Sequence, residues 1–150
     1  MSTRCRIAVE HDGKFESIYC HHDGYLSYVG RKLQKYYDNI KKVRALMELG
    51  DISSLGNDLK PEGTQNFDDT VDGNFCRPYS LRDEDCPSSF DDTLRQLYDR
   101  TENCWGEYLY VYMKDYEGIY RWFVWEIGQR KRLDIALKEL ERNENNVVQN

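Results

Sequence analysis

Polar and apolar positions alternate through the first twenty residues. Cys5, Ile7 and Val9 fall on one side of an extended chain and Arg4, Arg6 and Glu10 on the other, the period of two that marks a half-buried strand. A second run, Phe15 to Cys20, follows His11-Asp12-Gly13-Lys14. An Asp-Gly pair suits a tight turn that needs positive φ, so the two runs predict a β-hairpin. Beyond Asp23-Gly24 the period lengthens: Val29, Leu33 and Tyr36 or Tyr37, then Ile40, Val43, Leu46 and Met47, recur at helical spacing. The reading is two consecutive helices, or one broken near Asp38, with Asp38 or Asn39 as a cap and Gly50 as a left-handed terminator.

From Asp51 to Cys104 short apolar islands scatter among Asp, Gly, Ser and all three prolines of the chain, a composition of turns and loops. One short strand is expected near Asn74 to Leu81. A helix is expected from Ser89 to about Arg100, capped by Ser88 or Ser89, with Asp91 and Asp92 in its first turn and Phe90, Leu94, Leu97 and Tyr98 as its stripe. Alternation then returns in its clearest form. Tyr108, Tyr110 and Tyr112 interleave with Leu109, Val111 and Met113, and after Asp115-Tyr116-Glu117-Gly118 a partner strand runs from Ile119 to Ile127. Large side chains on both sides of this second hairpin require two covers, which helices, loops or a second copy of the chain would supply; a homo-oligomer is therefore among the expectations. Gly128 ends the hairpin. Leu133, Ala136, Leu137 and Leu140 predict a final amphipathic helix, followed by a polar tail over residues 143–150.

The expected fold class is α+β: a single domain over residues 1–142, with an antiparallel sheet of about five strands. The strands are an N-terminal hairpin, one middle strand and a C-terminal hairpin, and helices follow the second, third and fifth.

Composition sharpens this picture in two respects. A mean hydropathy of -0.85 marks a very polar surface, so the core must lean on the twelve tyrosines, five phenylalanines and three tryptophans, rings that bury large areas while Tyr and Trp keep a polar handle. The charge is uneven: residues 51–104 hold thirteen Asp and Glu against five Lys and Arg, net -8, which leaves +2 for the rest of a chain whose net charge is -6. That balance argues against direct binding to nucleic-acid backbones, which rewards clustered cations. No apolar stretch is long enough for a signal peptide or a membrane span, and five cysteines without regular spacing fit reduced thiols. A cytoplasmic protein with no membrane partner is expected.

Four groups of residues could carry chemistry. Cys20, His21 and Asp23 are the densest set of metal ligands, with Cys5 adjacent across the first hairpin, but consecutive strand residues point to opposite faces and no second paired motif completes a zinc site. No nucleophile motif surrounds His11, His21 or His22, and no cofactor is expected. Arg130, Lys131 and Arg132 fall in the first turn of the last helix, the end that attracts anions; they could hold a phosphate while Trp122 or Trp125 stacks on a base, or form a solvated basic face. Asp68, Asp69, Asp83, Glu84 and Asp85 could form a surface that enters a basic groove on another protein, or a solvated loop. Tyr108, Tyr110 and Tyr112 could join that surface, since Tyr is enriched at interfaces, or pack beneath a helix.

Ser2-Thr3-Arg4, the run Ser17-Ile18-Tyr19-Cys20-His21 with Asp23-Gly24-Tyr25, then Gly30, Leu33, Tyr37, Lys42-Val43 and Leu49-Gly50-Asp51-Ile52-Ser53-Ser54-Leu55 resemble a family of small proteins encoded by bacteriophages, prophages and other mobile elements. The resemblance covers the first third of the chain and brings no catalytic motif. It implies a small protein of the bacterial host cytoplasm that modulates host machinery or host defence. The expected function is a non-catalytic inhibitor of a host defence protein, such as a CRISPR effector, acting through an acidic, Tyr-rich surface. The alternatives are a sponge that sequesters a nucleotide immune signal, and a metal-dependent enzyme.

Overall fold

The computed structural model describes residues 2–68, 73–126 and 129–149, with side chains through Asn145. The first hairpin forms as its alternation requires: β1 (Cys5–His11) pairs with β2 (Lys14–Cys20), Cys5 opposite Cys20 and His11 opposite Lys14. Asp12 and Gly13 make the turn at φ of 50° and 82°, the left-handed pair that a two-residue hairpin loop needs. A single π turn, Leu26–Gly30, leads into α1 (Arg31–Tyr36). Helix α2 (Ile40–Glu48) follows, with the Asn39 side chain accepting from the Lys42 N–H at 2.9 Å as an N-cap. Gly50 closes it at φ 73°, its N–H donating to the Met47 carbonyl.

The middle of the chain holds more pairing than its composition suggests. Strand β3 (Ile52–Ser54) runs parallel to β2, and β4 (Arg77–Pro78) pairs with β3 before a 3₁₀ turn at Tyr79–Arg82. Strand β5 (Ser89–Asp91) also lies against β2. These residues were expected to open a helix; instead Thr93 caps α3 (Leu94–Asn103), accepting from the Gln96 N–H at 3.1 Å. Phe90 is consequently exposed, and Asp91 receives two hydrogen bonds from Arg100 at 2.9 and 3.1 Å. The C-terminal hairpin pairs β6 (Tyr108–Lys114) with β7 (Tyr120–Glu126); Ile127 and Gly128, the expected strand end and terminator, lie outside the described residues. Strand β8 (Gln129–Arg132) and then α4 (Leu133–Gln149) follow, the helix running through residues 143–149 of the expected tail.

The fold is α+β with four α-helices and one eight-stranded sheet, ordered β4-β3-β2-β1-β6-β7-β8 with β5 branching from β2. Most pairs are antiparallel. The exceptions are β2 with β3 and β1 with β6, and the second of these joins the two hairpins into one sheet with Ile7 opposite Tyr110. On one face Cys5, Ile7, Val9, Tyr110, Tyr112, Trp122 and Val124 pack under α1, α2 and α4; on the other Ala8, Leu109, Val111, Phe123 and Trp125 pack under α3. Both faces of the C-terminal hairpin thus find their cover within the chain. Arg6, expected on a solvated side, is 5% exposed and bonds to Ser17, its Nε and Nη2 donating to Oγ at 3.1 and 3.0 Å.

Candidate functional site

The structure disperses most of the sequence-derived candidates. Cys20 is buried with its thiol toward the His22 carbonyl, the Tyr19 hydroxyl and His21 Nδ1 lie 2.6 Å apart, and Ser2 Oγ and His22 Nδ1 lie 2.8 Å apart. Among the described residues no three His, Cys, Asp or Glu side chains gather as metal ligands. Arg130, Lys131 and Arg132 are on strand β8, not in a helical turn. Alternation along that strand separates them: Lys131, opposite Val124, bonds Glu139 at 2.7 Å on one face, while Arg130 lies over Phe123 and Arg132 bonds Asp134 at 2.7 Å on the other. Trp122 and Trp125 are likewise on opposite faces, and the Trp122 indole donates to the Tyr37 carbonyl in the interior.

The acidic stretch is only partly a surface. Ile52, Leu55 and Cys76 are fully buried. Asp68, Asp83, Glu84 and Asp85 are exposed, while Asp69 lies outside the described residues. Cations interleave with these carboxylates: Arg82 bonds Glu84 at 2.6 Å, and both Arg77 and Arg82 sit over the Phe67 ring. The tyrosine row is mostly core. Tyr110 is fully buried and donates to the Gly24 carbonyl at 2.7 Å; Tyr112, 6% exposed, donates to the Asp38 carbonyl at 3.2 Å. Neither can form a contact surface. Tyr108 alone reaches the rim, its hydroxyl donating to Glu126 at 3.3 Å.

That rim is where polar and aromatic groups converge. Three depressions adjoin around the end of the sheet where β6 begins and β7 ends. The first, 730 Å³, is lined by Arg4, His21 and Trp105 and shares Glu102 and Glu107 with the second. The second, 290 Å³, adds Tyr98, Tyr108, Trp125 and Glu126. The third, 530 Å³, shares Tyr108 and Glu126 with the second and continues past Tyr25 to Lys131 and Glu139 beside α4. None of the ion pairs among the described residues involves Glu102, Glu107 or Glu126. Their charge is felt by the phenols: burial, then Glu126 and Glu107, push Tyr108 up to about 12, and burial, then Glu102, raise Tyr98.

Trp105 stands over this groove because of how α3 ends. The Trp105 N–H donates to the Glu102 carbonyl at 3.0 Å and the Gly106 N–H to the Thr101 carbonyl at 2.9 Å, the paired bonds of a Schellman termination. Such a termination places one residue in the left-handed region, normally glycine. Here that residue is Trp105, at φ 63° and 78% exposed. A bulky side chain there carries roughly 1–2 kcal/mol of backbone strain, and no packing offsets it. Sequence reading passed over Trp105, Glu102 and Glu107 because they straddle a helix end and a strand start. The signal present was Cys104-Trp105-Gly106 after a helical stripe, with tryptophan at the position a glycine would fill.

No protein-family model, curated protein or solved structure matches the chain. Among the described residues no helix is long and apolar enough to cross a membrane.

Proposed function

We propose that the chain is a non-catalytic binding protein of a bacteriophage or other mobile element that inhibits a host defence protein, and that the acidic, aromatic groove around Trp105 is its contact surface. The observation that carries this reading is the exposed Trp105 at a strained backbone position beside Glu102 and Glu107, in a depression that adjoins the one holding Glu126. A central aromatic anchor rimmed by charge is the usual composition of a binding hot spot, and a local rule broken without structural gain points to function. The negative field would steer a basic partner to the groove. The exposed Asp83, Glu84 and Asp85 could extend that field.

Support for the nucleotide sponge is weaker. Its three cations are split between faces, Lys131 is neutralised by Glu139, and the adjoining 530 Å³ depression also holds Glu126. The test is to express the chain in bacteria that carry a defence system and to count plaques of a phage the system restricts. Plating should rise with the wild-type chain and fall back with Trp105→Ala or with Glu102→Lys/Glu107→Lys at equal abundance. Equal plating with wild type and variants would remove the groove from the proposal.

A further inference from the structure

We infer that the middle depression receives an arginine side chain from an extended segment of a basic partner protein. The inference rests on the binding-protein reading above and names the chemistry of its partner. At 290 Å³ the depression is the size of a side-chain pocket and smaller than a cofactor cleft. Its walls combine the Tyr98, Tyr108 and Trp125 rings with the Glu102, Glu107 and Glu126 carboxylates. A guanidinium satisfies both kinds of wall, because its plane stacks on aromatic faces and its fork donates to carboxylates in pairs. The ammonium of lysine offers a point charge and no plane. Arg77 and Arg82 over Phe67, and Arg130 over Phe123, show the same pairing inside this chain, with the guanidinium carbon 4.5 to 5.5 Å from each ring centroid.

An independent feature points to a peptide and not to a free small cation. Trp125 lines the depression, and its indole N–H makes no hydrogen bond among the described residues and is reachable by solvent. A partner's acceptor can take the place of water on that donor. A guanidinium has none, whereas the main-chain carbonyl beside an arginine supplies one. The groove continues on both sides of the depression, which leaves a path for the chain that carries that arginine.

The test is an NMR titration of the intact protein, reading the three indole N–H signals, with Trp125 assigned by Trp125→Phe. The probes are three eight-residue Gly/Ser peptides that differ only in a central arginine, lysine or citrulline. The arginine peptide should move the Trp125 signal and bind at least about tenfold more tightly than the uncharged, near-isosteric citrulline peptide, and measurably more tightly than the lysine peptide. Glu102→Gln/Glu107→Gln/Glu126→Gln, all on the rim, should keep the wild-type melting temperature and lose that preference. Equal binding of arginine and citrulline peptides, unchanged binding by the triple variant, or a Trp125 shift produced instead by a single-stranded oligonucleotide would overturn the inference. A chain that inhibits defence while ignoring all three peptides keeps the proposed function and loses the arginine pocket; a chain that binds arginine yet never alters plating does the reverse.

Discussion

Helices α2 and α3 are both followed by a residue in the left-handed region, with opposite side chains. After α2 the left-handed position is Gly50, at φ 73°, where an added Cβ would sit 2.2 Å from the Cys86 carbonyl oxygen. After α3 it is Trp105, at φ 63° and 78% exposed. Glycine at position 50 is required twice, by the torsion and by the neighbouring chain. Trp105 answers to neither requirement: its torsion would be more stable with glycine, and its ring packs on little. One terminus is built for folding and the other carries a ring the fold does not use, which is why α3, and not α2, marks the edge of the candidate site.

The contrast breaks first at Gly50. Gly50→Ala should destabilise by about 3 kcal/mol or more, because the collision with Cys86 adds to the roughly 1–2 kcal/mol of left-handed strain. Urea unfolding with an unchanged m-value would measure it. A loss below 1 kcal/mol would mean that the loop at Cys86 gives way freely. Tyr110→Phe comes next. It leaves the buried Gly24 carbonyl without its donor, a loss of about 1–3 kcal/mol, whereas Tyr108→Phe at the rim should change stability by less than about 0.5 kcal/mol. Trp105→Gly carries the opposite sign: it relieves the torsion and should stabilise the fold by about 1 kcal/mol, while abolishing partner binding. A Trp105→Gly protein that is less stable than wild type would show that the ring supports the fold.

Legibility in the sequence followed the range of the interactions. Both hairpins, the Asn39 cap and the Gly50 stop were readable because each is decided within a few residues, by alternation, by a capping side chain or by one torsion. Strands β3 and β5 were not: each is three residues long and exists only because β2 offers it an edge. The parallel pairing of β1 with β6 joins residues about a hundred positions apart, and no local pattern encodes it. The same limit explains the site. Tyr108 and Trp125 were recognisable as candidates, but strand pairing alone decides that Tyr110 is core and Tyr108 rim. The cations at 130–132 looked like a cluster only while they were assumed to lie in one helical turn.

The smallest effect expected belongs to His21, at the Arg4 end of the groove. Burial, then His22 and Arg4, lower its pKa below the usual histidine value. The unfolded chain therefore binds a proton at His21 at a pH where the folded chain does not. Stability contributed by neutral His21 is fully present above about pH 6.5 and declines as the pH falls through that unfolded value, until the folded pKa is also passed. Protonation also leaves Nδ1, 2.6 Å from the Tyr19 hydroxyl, able only to donate. His21 is partly solvated, so the decline is shallow next to that of Gly50→Ala or Tyr110→Phe. His21→Gln should flatten the fall in melting temperature just below pH 6.5 and leave the curve above pH 7 parallel to wild type. A variant that tracks wild type throughout would place the titration elsewhere and detach this end of the groove from any dependence on pH.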